Sequence, residues 1–137
     1  MLKRELVLSK LEKLNEYIKV LKTIGNYSEK EYLENPMIYG SMERFLHLSI
    51  ECVLDISNHL ISDLRLRRPD SNREIFIVLY ENKIIDELLK ESLCNMAGFR
   101  NILVHDYMKL DRIIVYKIIN NNLKDIETFI KIVSTYL

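Results

Sequence analysis

Glycine and proline are scarce, three and two among 137 residues, and that scarcity excludes a fold made of many short elements joined by tight turns. A net excess of either charge is missing too. Twenty basic residues meet twenty acidic ones, which argues against a broad surface that tracks nucleic-acid phosphates. Any contact with nucleic acid would then be local, or built by pairing chains. Cysteine is rare. Cys52 and Cys94 have no metal-ligand spacing and both fall in apolar helical patterns, as reduced thiols in a cytoplasmic protein would. No apolar run reaches membrane-spanning length or has signal-peptide character, so no membrane association is expected.

What is present favours helices. Leu, Ile, Lys and Glu dominate, and 48% of residues are hydrophobic. The length suits a single domain, residues 1–137, burying roughly two thirds of the surface exposed by the unfolded chain. Val7, Leu11, Leu14, Ile18 and Leu21 alternate spacings of four and three, predicting an amphipathic helix over about 2–24. Gly25-Asn26 suits its C-terminal cap. Ser28 with Glu31 forms a capping box for a short helix, which Pro36 ends. The longest helix, about 36–65, is apolar on more than one face, so it is either central or shared with a second subunit. Arg44, His47, Glu51, Asp55, Asn58 and Ser62 form a polar stripe along it, with His59 beside Asp55.

A basic turn follows, containing Arg65, Arg67 and Arg68. Ser71 with Glu74 starts another short helix, to about Tyr80. A further helix runs from about Asp86 to Val104, carrying Leu88, Leu89, Leu93, Met96 and Phe99. Asp111 is the expected cap of the last helical region, which the Asn120-Asn121-Asn122 run would break or kink. The fold class is therefore all-α, a single antiparallel up-and-down bundle of four to six helices.

One segment has residue types suited to chemistry: Arg100-Asn101-Ile102-Leu103-Val104-His105-Asp106-Tyr107. RNA carries its own nucleophile, the 2′-hydroxyl. Its cleavage needs no metal if a base removes that proton, an acid protonates the leaving oxygen, and a cation stabilises the phosphorane. Histidine, with a pKa of about 6.5, serves as either acid or base, and positioned proton transfer contributes roughly 10²–10⁴ in rate. Arginine's fork matches two phosphate oxygens. Asn101 can donate to phosphate or brace the helix end, and Asp106 can orient an imidazole. Spacing alone leaves a plainer reading open. His105 would complement the helix C-terminal dipole, and Arg100 would pair with a surface carboxylate. For the stripe, the alternatives are a solvated helix edge or contact of Glu51, Asp55 and His59 with Arg100 or His105.

The run Arg100 to Tyr107 resembles the R-x4-H-x-Y motif of the HepT family, toxins with the HEPN fold. Ser41 to Leu48 and Ile50 to His59 resemble that family's second long helix, and Met96-Ala97-Gly98-Phe99 its approach to the motif. The likeness covers roughly residues 1–135. It implies a homodimer that brings two motif copies to one cleft, metal-independent RNA cleavage by Arg100 and His105, and no cofactor. It also implies an MntA-type nucleotidyltransferase antitoxin that attaches AMP to Tyr107, which should therefore be solvent-accessible. Asn101, Asp106, Glu51 and Asp55 are candidates for support. Arg65, Arg67, Arg68, Lys109 and Arg112 either line the approaches for RNA or simply solvate a turn and a helix start. A different class stays open: a non-catalytic helical partner or nucleotide-binding subunit of a nucleotidyltransferase.

Overall fold

The computed structural model describes residues 4–104 and 110–137, apart from the Val104 side chain. Among these residues there are six α-helices and no strand. Helix α1 spans Arg4–Lys22, α2 Glu29–Glu34, α3 Pro36–Asp63, α4 Asn72–Glu81, α5 Glu87–Val104 and α6 Arg112–Ser134. They form the antiparallel all-helical bundle that the apolar periodicity predicts.

Side-chain capping sets most helix starts. Ser28 Oγ accepts from the Glu31 amide while Glu31 accepts from the Ser28 amide, so both arms of the capping box form. Asn35 caps α3 by accepting from the Met37 amide, and Pro36 occupies the first turn, where its missing N–H leaves nothing unpaired. Ser71 accepts from the Glu74 amide at α4, and Asp111 accepts from the Ile113 and Ile114 amides at α6.

Two expectations are corrected. Gly25 is not a left-handed cap. The chain tightens into a 3-10 turn over Thr23–Asn26, and among the described residues no glycine has positive φ. Nor does the asparagine run break α6, which is continuous. Asn120 donates to the Tyr116 carbonyl. Asn122 donates to Asp125, which also accepts from Ser92 on α5. Local bonds that usually compete with a helix here run along it and to its neighbour.

Helix α3 is central: it packs against all five other helices. This settles why it is apolar on more than one side. Leu46, Ile50, Val53 and Leu60 line one buried face, and Leu54 and Ile61 on one flank and Ile56 on the other widen it, each contributing about 1.5–3 kcal/mol relative to exposure. Ser49 and Ser57, both fully buried, are small side chains that keep the helix surface slim at those positions. On α5, Leu89, Leu93 and Met96 face the core, whereas Leu88 stands in solvent. Both cysteines are free; burial raises the pKa of each thiol, keeping them as unreactive packing groups. Among the described residues no helix is long and apolar enough to cross a membrane.

Candidate active site

Helix α5 carries Arg100 in its last turns, and α3 lies across it. The Arg100 Nε donates to Glu51 Oε1 in a close ion pair between the two helices. The same guanidinium donates from Nη1 to Asn101 Oδ1 at 3.2 Å. Glu51 and Arg100 are each about a third exposed, 32% and 28% for their side chains. The pair therefore faces solvent on one side and packed helix on the other. The stripe on α3 is thus not just a wet edge: one of its carboxylates grips the motif arginine.

The neighbour one turn back on α3 is His47. Its Nε2 lies 3.6 Å from Glu51 Oε1, and Arg44 approaches its Nδ1 at 3.2 Å. Arginine only donates, so Nδ1 must accept and the ring proton resides on Nε2, facing Glu51. Burial lowers the His47 pKa most; Arg44 and Arg100 push the same way, while Glu51 opposes them. His47 is therefore a neutral imidazole at neutral pH. Arg44, His47, Glu51 and Arg100 form one connected row. His47 and Arg44 were visible in sequence as members of the stripe, but spacing gives no reason to join them to Arg100.

Other expectations divide. Among the described residues Asp55 pairs with Lys10 of α1 at 3.3 Å and not with Arg100, because the next turn of α3 faces another helix. His59 is half-buried and makes no hydrogen bond among the described residues. Arg67 is not available to line an approach, since it donates to Glu81 at 2.8 Å and lies 2.7 Å from Glu74. Arg112 likewise turns inward to Glu43, at 3.0 Å. Arg65 and Arg68 remain, bordering a cleft of about 420 Å³ with Asn58 and Ser62. His105, Asp106, Tyr107 and Lys109 lie outside the described residues, as does the expected accessibility of Tyr107. Among the described residues no three His, Cys, Asp or Glu side chains gather as metal ligands do.

The family model described as "Ribonuclease HepT-like" matches residues 14–133, most of the chain and both arms of this site. The chain belongs to the HepT-like ribonuclease family. Within that family it is 28% identical over 132 residues to the mRNA nuclease HepT of Shewanella oneidensis, covering 94% of this chain and 96% of that one. It is 30% identical over 129 residues to the tRNA nuclease HepT of Aphanizomenon flos-aquae, covering 94% and 88% respectively. Among solved structures, the tri-AMPylated Shewanella oneidensis HEPN toxin in complex with its MNT antitoxin superposes with a TM-score of 0.87 at 29% identity. That match covers 94% of this chain and 96% of the toxin. The HepT-like fold is thus shared over most of the chain.

Proposed function

We propose that this protein is a metal-independent endoribonuclease, the toxin of a module whose MntA-type nucleotidyltransferase silences it by attaching AMP to Tyr107. The observation that carries the reading is the Arg100–Glu51 pair, which fixes a permanent cation five residues before His105. Arg100 stabilises charge on the phosphorane, and His105 transfers protons. The 2′-oxygen attacks phosphorus, its proton passes to a base, and the bond to the 5′-oxygen breaks as that oxygen is protonated. The products are a 2′,3′-cyclic phosphate and a free 5′-hydroxyl. One histidine per chain cannot be both base and acid in a single step. A homodimer that presents two motif copies in one cleft supplies both. Relatives named as mRNA and tRNA nucleases support RNA as the substrate, and the toxin–antitoxin complex supports the partner. Asn101 braces Arg100 and Asp106 orients His105.

Purified protein should cleave total RNA in EDTA, and His105→Ala should reduce cleavage by at least 10²-fold with an unchanged Tm. Cleavage that depends on magnesium, or that survives the substitution, refutes the reading.

One observation favours a second reading. Arg100 already meets a carboxylate and an amide oxygen, which lowers its reach for phosphate. A non-catalytic partner that presents Tyr107 to the nucleotidyltransferase would accept AMP there while cleaving no RNA.

A further inference from the structure

Arg112 is the first residue of α6. A cation at a helix N-terminus opposes the macrodipole, so helix stability does not explain it. Its Nε lies 3.0 Å from Glu43 Oε2, and its guanidinium carbon sits 4.0 Å above the Tyr39 ring. The Glu43 side chain is only 5% exposed. Buried ion pairs add little net stability, because desolvation offsets their attraction, but they fix geometry. This one fixes the start of α6 to α3.

The other end of the same stretch is also fixed to α3, through Arg100 and Glu51. Glu43 and Glu51 lie eight residues apart on one helix, ~12 Å along its axis, with His47 in the row between them. Both arginines flank the motif, one at its start and one five residues beyond Tyr107. We infer that Glu43 and Arg112 are positioning residues for the nuclease site. With Glu51 they make α3 a two-point clamp that sets where the chain between Arg100 and Arg112 begins and ends. Tyr39 completes the second point by covering the guanidinium face, and Asp111 holds the adjoining amides. The inference rests on the reading of Arg100 and His105 as the catalytic pair. Neither Glu43 nor Arg112 needs to touch RNA.

The test uses the whole chain and a short single-stranded RNA, with kcat and KM measured separately. Glu43→Gln keeps the side chain's size and removes its charge. It should lower kcat at least tenfold with KM within twofold of wild type, and Glu43→Asp should recover part of the loss. Leu79→Ala, buried on α4 beside the far end of α3, where Arg67 reaches Glu81, serves as the stability control. It should lower Tm at least as far yet leave kcat unchanged when assayed well below both transitions. If Glu43→Gln does not fold, Arg112→Lys decides, since it keeps the charge but loses the planar fork; an unchanged kcat there overturns the clamp. An unchanged kcat in Glu43→Gln beside an inactive His105→Ala also overturns the clamp and leaves the catalytic reading standing. Full activity in His105→Ala removes that reading and the clamp with it.

Discussion

Two arginines on this molecule have similar partners and different settings. Arg67, in the turn after α3, binds Glu81 and Glu74, both on α4 and close in sequence. Those contacts, Glu81 foremost, hold its pKa above the ordinary value. Arg100 binds Glu51, 49 residues away on a different helix, and keeps part of its fork toward solvent. Arg67 is saturated by two carboxylates in the open, and such surface pairs add little stability. Arg100 is held by one carboxylate at a helix crossing, so its position is fixed while its charge is only partly answered. A cation serves chemistry when it is placed firmly and neutralised incompletely.

Substituting each arginine in turn tests that contrast most directly. Arg100→Ala should lower RNA cleavage by about 10²-fold or more, the size typical for losing one group that stabilises developing charge. Arg67→Ala should leave cleavage intact and lower Tm by no more than about 4 °C. Equal losses of activity would end the distinction.

A smaller effect is expected from Arg65 and Arg68, which have no carboxylate partner among the described residues. Changing both to Ala should raise KM for RNA several-fold with kcat unchanged. It should also flatten the dependence of log affinity on log salt by about 1–1.5, as loss of two single-strand phosphate contacts would. An unaltered salt slope would return them to the plain solvated turn.

The smallest effect belongs to His47, the neighbour that both Arg100 and Glu51 share. Its folded pKa is lowered, so below about pH 6.5 the unfolded chain binds more protons than the folded one. The stability it supports is full above that pH and is lost as pH falls through the lower folded value. Denaturant titrations should show this acid-side loss in wild type and a smaller one in His47→Gln. Identical profiles would detach His47 from the row.

Helix placement was legible because it depends on neighbours in sequence. The seam from Val7 to Leu21, the Ser28–Glu31 box and the Asp111 cap all formed. The Gly25 cap failed because glycine permits a left-handed turn without requiring one. The asparagines of α6 failed as breakers because Asn120 and Asn122 bond along the helix, to the Tyr116 carbonyl and to Asp125, and Asp125 is tied in turn to Ser92 of α5, so packing overrides a weak local preference. At the site, the Glu51 contact was among the alternatives, and its resolution needed the α3–α5 crossing. Asp55, one turn further along the same stripe, shows why: a helix rotates past a neighbour within a turn, and Lys10 of α1 takes it instead. The Glu43–Arg112 pair joins residues 69 apart, and nothing in the spacing of either announces the other.

The chain has no tryptophan, which gives the tyrosines beside Arg112 an unplanned use. Tyr32, fully buried, lies 5.2 Å from the Tyr116 ring and 6.4 Å from the Tyr39 ring, and Tyr116 donates to the Tyr27 carbonyl at 2.7 Å. With no indole to mask them, these coupled phenols contribute to the near-ultraviolet dichroism and intrinsic fluorescence of the native protein. Three of the chain's eight tyrosines thus report, without a label, on the region that joins the last helix to the third.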